Sequence, residues 1–85
     1  MVQNIARQVA ASGVTCNVLV PGAIATDRNR DALSDPAYLA EVLARIPTGY
    51  VGVPEDCAAT ALMLCSNAGR YLTGVTIPVD GGMGL

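Results

Sequence analysis

Two short β-rich segments, residues 14–20 and 75–79, each run into a break in the chain: Pro21-Gly22 after the first, Asp80-Gly81-Gly82 after the second. Two stretches with helical spacing lie between them, so no tight hairpin can join the strands. Strands connected through helices run parallel, by crossover. That single constraint selects an α/β architecture, in which ligands bind beyond the C-terminal ends of the strands. Both breaks fall at such ends.

The remaining pattern fills in around that frame. Val2, Ile5, Ala6, Val9 and Ala10 recur at helical spacing and predict an amphipathic helix over 2–12, ended by Gly13. No N-cap signal precedes it; the pattern begins at Met1 as if cut rather than built. Residues 14–20 stop at Pro21, which cannot donate to a ladder, and the run Val18-Leu19-Val20 suits a strand covered on both faces. Residues 22–35 are small and polar, with alternating charge through Asp27, Arg28, Arg30 and Asp31, and read as a mobile loop with one helical turn.

Asp35-Pro36 then form the N-cap and first residue of a helix over 36–45, with Leu39, Val42, Leu43 and Ile46 on one face. A turn-rich connection over 47–53 leads to Pro54-Glu55-Asp56, a proline and two carboxylates at the positive end of a helix running to 66. Ala58, Ala61, Leu62 and Cys65 are its expected buried stripe, and Asn67-Ala68-Gly69 ends it. Pro78 marks the strand over 75–79 as an edge. The expected order is α-β-loop-α-α-β, with no internal repeat. Two strands are too little sheet for a self-sufficient domain, because edges and an apolar face stay open.

Composition sharpens this. The chain has 85 residues, 52% hydrophobic and only 14% charged, which argues against disorder and for apolar faces that expect a partner. A net charge of −2 offers no basic footprint for nucleic acid. No apolar run reaches the length of a membrane span, and Arg7 interrupts the place where a secretion signal would be apolar. Cys16, Cys57 and Cys65 lack metal-ligand spacing and there is no His, so no metal site is expected. They read as small apolar residues of a soluble, cytoplasmic protein.

Few residues invite a chemical role. Pro21-Gly22 frees the chain at a strand end; Gly22 lets backbone approach a flat ligand, and Thr26 adds a hydroxyl able to bond an amide or a phosphate oxygen. Pro-Gly alone is also an ordinary turn signal. Glu55 and Asp56 sit where helix capping wants carboxylates, and Asp80 where a turn or a subunit contact would use one. Gly81-Gly82-Met83-Gly84 opens no helix and is no phosphate-binding fingerprint.

Together these motifs are specific. Ala11-Ser12-Gly13, Val14-Thr15-Cys16-Asn17-Val18, Pro21-Gly22 with Thr26, Pro47-x-Gly49, Gly52-x-Pro54-Glu55-Asp56, Tyr71-x-Thr73-Gly74 and Val79-Asp80-Gly81-Gly82 follow in order through nearly the whole chain. The sequence closely resembles the C-terminal portion of the short-chain dehydrogenase/reductase family. The resemblance implies the C-terminal part of a Rossmann-like, doubly wound parallel sheet, with residues 1–85 one segment of a single domain and incomplete alone. It implies hydride transfer between NAD or NADP and a small-molecule carbonyl or alcohol. It also places Pro21, Gly22, Ile24 and Thr26 on the nicotinamide side, with Ile24's backbone meeting the carboxamide. The region 22–46 corresponds to the substrate loop and lid helices, and the last helix and strand to surfaces that pair subunits into homo-oligomers.

The family's catalysis needs a Tyr with a Lys four residues later, whose ammonium lowers the phenol's pKa. Here Tyr38 is followed at that spacing by Val42, Tyr50 by Pro54 and Tyr71 by Val75, and all five cations are Arg. No catalytic residue is therefore assigned within the chain, and no Gly-rich pyrophosphate turn occurs. Tyr50 also stands where relatives often carry Arg. The expected reading is a fragment of an oxidoreductase, inactive alone. A non-catalytic interaction module docking on full-length relatives and a degenerate remnant are the competing readings.

Overall fold

The structure, a computed structural model, describes all of residues 1–85. Helix α1 spans Val2–Val9, tightens into a 3-10 turn at Ala10–Ser12 and stops at Gly13, whose φ is 80°. Strand β1 is Val18–Pro21. A 3-10 turn at Asp27–Asn29 and the one-turn helix α2 (Arg30–Leu33) occupy the stretch expected as loop. Helix α3 covers Pro36–Ala44 and α4 covers Pro54–Leu64; a 3-10 turn at Asn67–Gly69 precedes strand β2, Thr76–Val79.

The two strands pair in parallel, Val18 with Thr76, Leu19 with Ile77, Val20 with Pro78 and Pro21 with Val79. The Val18 and Gly22 amides donate to the Val75 and Val79 carbonyls, each at 2.9 Å. In a parallel ladder, alternate residues face the partner. Odd-numbered residues of β2 therefore face β1, and Pro78 turns its ring nitrogen to the outer edge, where no donor is needed.

Strand β1 begins later than the β-rich sequence does, and side chains are the reason. Asn17 donates from Nδ2 to the Leu72 carbonyl (3.2 Å) and accepts at Oδ1 from the Val75 amide (3.1 Å). The Cys16 amide donates to Thr73 Oγ1 (3.1 Å), and its carbonyl accepts from the Gly74 amide (2.8 Å). Residues 16–17 are thus tied to 72–75 by a mixed side-chain and backbone lattice, and the regular ladder starts at Val18.

Burial departs from the sequence expectation in two places. Leu19, Ile77 and Val79 are half-buried, but Val18, Val20 and Pro78 stay exposed, so the run 18–20 is not covered on both faces. Helix α4 packs against both strands, while α1 and Val18 leave an open hollow between them. In α4, the expected stripe of Ala58, Ala61, Leu62 and Cys65 lies in solvent, with Leu62 71% exposed. Cys57, Thr60, Met63 and Leu64 are the half-buried side instead. Both stripes have helical spacing, and spacing alone does not say which neighbour is present.

Fully buried positions are few: Ala6, Val42, Ile46 and Gly69. Asp35 caps α3 by accepting the Ala37 amide at 3.1 Å, with Pro36 in the first turn; Val42 is buried on the helix, and Ile46, just past its end, packs against the Gly81 turn. The molecule measures 50 × 22 × 20 Å with a radius of gyration of 15.7 Å. A compact chain of this length would have about 12 Å. Its accessible surface is 6111 Å², where a compact protein of 8.7 kDa exposes roughly 4,700 Å². These helices and strands are well formed locally but share little core.

Candidate functional site

The ends of β1 and β2 meet side by side. Past β1, the Gly22 amide adds one more rung to the ladder through Val79. A Cβ on Gly22 would lie 2.5 Å from Asp80 Cβ, so the absent side chain makes room for the neighbouring strand end. Asp80 folds the turn that follows: Oδ1 accepts from the Gly82 amide (2.9 Å), Oδ2 from the Gly84 amide (3.2 Å) and its carbonyl from the Met83 amide (3.1 Å). Gly81 occupies the left-handed region at φ 63° against Ile46 and Thr48, where a side chain would clash. The Asp80 carboxylate is thereby committed to its own turn.

Beyond Gly22 the chain stays extended and bridges Gly52. The Gly52 amide donates to the Ala23 carbonyl (3.1 Å), and the Ala25 amide to the Gly52 carbonyl (2.8 Å). Ala23 and Ala25 therefore face Gly52, and the N–H and C=O of Ile24 point the opposite way. The Ile24 carbonyl accepts from Asn29 Nδ2 at 2.6 Å, while its N–H has no partner in the chain. Asn29 Oδ1 accepts from the Thr26 amide (2.8 Å) and from the Thr26 hydroxyl (3.2 Å). One side chain thus joins two of the four residues singled out in the sequence. The Asp27–Arg30 ion pair that flanks it is fully at the surface, where such pairs contribute little.

Two hollows flank this edge. A cleft of about 480 Å³ is lined by Ile24, Thr48, Tyr50, Gly52, Asp56 and Gly81 among others. A second, of about 430 Å³, is lined by Thr26, Asp27, Arg30, Ser34 and Pro54 among others. Ile24 opens on the first and Thr26 on the second, whereas Pro21 and Gly22 line neither. Asp56 spends Oδ2 on the Val53 amide (2.8 Å), the capping role its position implies. No group of three His, Cys, Asp or Glu side chains is placed to hold a metal ion.

Sequence reasoning missed Asn29 and the bridge from Ile24 to Gly52. The first had a signal: Thr26-x-x-Asn29 has the spacing of a capping box. The second had none, since Gly52 lies far along the chain.

The profile of the family described as enoyl-(acyl carrier protein) reductase matches residues 1–84. The chain is 42% identical, over all of its length, to 3β-hydroxysteroid dehydrogenase 1 of Eggerthella lenta, of which it spans 33%. It is 43% identical to the 3-oxoacyl-(acyl-carrier-protein) reductase FabG of Salmonella typhimurium, over 95% of this chain and 32% of that protein. Among solved structures, the Pseudomonas aeruginosa RhlG/NADP active-site complex superposes with a TM-score of 0.87 at 37% identity, covering 99% of this chain and 34% of that one. The chain therefore spans about a third of the length of the relatives it matches.

Proposed function

Because the chain belongs to the short-chain dehydrogenase/reductase family, we propose that it acts as the C-terminal third of an oxidoreductase that uses NAD or NADP to interconvert a small-molecule carbonyl and an alcohol. Residues 1–85 form one segment of a single Rossmann-fold domain, with 22–46 as substrate loop and lid. The chain supplies the nicotinamide-side wall, and α4 with β2 supplies contacts between subunits of a homo-oligomer. Three unpaired cysteines, Cys16, Cys57 and Cys65, suit a reducing cytoplasm. No helix is long and apolar enough to cross a membrane.

The observation that carries this reading is the edge at Ile24. A free N–H and a nearby hydroxyl stand just past the C-terminal end of a parallel strand, where the family's nicotinamide ring would lie. Two residues apart on one extended edge, the pair complements a carboxamide, which offers an oxygen acceptor and an NH2 donor. The nicotinamide group supplies or takes up the hydride when bound. Ile24 and Thr26 bind its amide and hold the ring's orientation, Pro21 and Gly22 shape the wall behind them, and 22–46 screens the site from water. No residue of this chain moves the reaction's proton, so the acid–base pair lies outside it and the chain alone is inactive.

The test is a graft. Replacing the matched third of Salmonella FabG with this chain, and in parallel that of the Eggerthella dehydrogenase, should give soluble proteins that bind NAD(P)H. Thr26→Val should weaken that binding by about tenfold, the scale of one hydrogen bond. Folded chimeras without nucleotide affinity would refute the reading.

One observation favours a second reading, a non-catalytic module that docks on intact relatives: the exposed stripe of Ala58, Ala61, Leu62 and Cys65. Co-purification of the free 85-residue chain with a full-length dehydrogenase supports it, and a stable soluble monomer argues against it.

A further inference from the structure

We infer that Asn29 is a positioning residue that fixes the Ile24–Thr26 edge as one donor beside one acceptor, and so selects a planar primary amide over a phosphate oxygen. The inference rests on the reading of that edge as the nicotinamide wall, and it concerns what sets the polarity of the edge.

The argument is one of proton bookkeeping. A hydroxyl has one proton and two lone pairs and turns to suit its surroundings. Left free, Thr26 could donate to a phosphate oxygen or accept from an amide N–H. It is not free: its proton goes to Asn29 Oδ1 at 3.2 Å. The same oxygen holds the Thr26 amide at 2.8 Å, which fixes the backbone from which the hydroxyl projects. What Thr26 has left to offer a ligand is lone pairs.

The other end of the Asn29 amide does the converse. Nδ2 donates to the Ile24 carbonyl at 2.6 Å, so that carbonyl is occupied and the peptide plane is held. The Gly52 bridge locks the two flanking peptides. On the side turned away from Gly52, the Ile24 N–H remains unpaired; the Ala23 N–H and the Ala25 carbonyl, also without partners, lie on the Gly52 side. The edge therefore presents a donor at Ile24 and an acceptor at Thr26, the complement of a primary amide's C=O and NH2. Two phosphate oxygens, both acceptors, would leave the Thr26 lone pairs facing negative charge. Asn29 is half-buried, in keeping with a side chain directed inward at two backbone partners rather than at solvent.

The test compares two nucleotides that differ only in the amine. In the acetylpyridine analogue of NAD(P), a methyl ketone replaces the carboxamide, so the acceptor oxygen is kept and the N–H donor is lost. The readout is the ratio of dissociation constants, analogue over nicotinamide, measured by titration calorimetry on both chimeras. Asn29→Ala should reduce that ratio by about fivefold, because the released Thr26 hydroxyl no longer offers a fixed acceptor. Asn29→Asp keeps the acceptor oxygens for Thr26 and should keep the ratio within about twofold, even if overall affinity falls through loss of the bond to Ile24.

An unchanged ratio in Asn29→Ala, whatever the absolute affinities, would show that Asn29 only holds the turn and would overturn the proposal. Loss of the ratio in Asn29→Asp would overturn the assignment of acceptor to Thr26. Failure of the underlying reading looks different: the unsubstituted chimera would show no preference between the nucleotides, and Thr26→Val would change neither affinity.

Discussion

Gly22 and Asp80 touch through their backbones: a Cβ built on Gly22 would stand 2.5 Å from Asp80 Cβ and 2.7 Å from its Cα. The glycine of the strand-end break is therefore demanded by the adjacent strand before any ligand arrives. That contact joins the two breaks into one structure, because Asp80 in turn folds the Gly81-Gly82 turn around its carboxylate.

Gly22→Ala should lower the melting temperature of either chimera by roughly 4–10 °C, since its clash is with backbone that cannot move aside. Gly52→Ala is the internal control. Its added methyl meets Ile24 Cδ1 at 2.9 Å, the far end of a flexible side chain, and should have the smaller effect. Equal melting shifts for the two would contradict this account.

Asn17 replaces two backbone rungs with one side chain, holding Leu72 and Val75 at once. Asn17→Ala orphans both partners and should destabilise the chimera by about 1–3 kcal/mol, read by denaturant titration. Asn17→Asp retains the acceptor for Val75 but sets a carboxylate against the Leu72 carbonyl. It should therefore recover little near neutral pH and more as the carboxylate is protonated. A pH-independent Asn17→Asp would argue that the Leu72 bond does not matter.

Much of this was legible in advance. Gly13, Asp35-Pro36 and Pro54 act through backbone rules that operate within a few residues, and the structure uses each as those rules predict, whereas Pro21 does not stop β1: it pairs with Val79 and the ladder goes on through the Gly22 amide. The start of β1 was misjudged because Asn17 and Thr73 substitute side chains for ladder bonds, a long-range exchange that periodicity does not register. The buried face of α4 was misjudged because the helix has two apolar stripes and only one has a neighbour in this chain. At the site, Ile24 and Thr26 were visible as a motif. Asn29 sits among the charges of Asp27, Arg28, Arg30 and Asp31, which mask its place as the third residue after a capping threonine.

The free chain should show no hydride transfer with any alcohol or ketone and NAD(P). Tyr71 is completely exposed and has no cation four residues on, so Tyr71→Phe should behave as the unsubstituted chain does. Turnover above that of Tyr71→Phe, followed by nucleotide absorbance, would place the reacting phenol inside this chain after all.

Folding of the free chain should be incomplete. It exposes roughly 1,400 Å² more than a compact protein of its mass. At about 25 cal/mol per Å² of apolar surface, the missing burial exceeds the margin of a small domain. The expected result is a broad thermal change by circular dichroism and early elution in gel filtration. A sharp, cooperative transition would show that the elements find enough core on their own.

Leu62 tests what the bare side of α4 is for. It is 71% exposed on a stripe with Ala58, Ala61 and Cys65, and small residues around one large one permit a second surface to come close. Leu62 also lies off the half-buried side formed by Cys57, Thr60, Met63 and Leu64, so a charge there should not disturb the helix's contact with the sheet. Leu62→Glu should therefore leave the chimera's helix content unchanged while shifting it toward smaller species in sedimentation. In the free chain it should improve solubility. If instead the chimera keeps its assembly state and loses helix, the stripe is internal to the subunit, and the contact between subunits lies elsewhere.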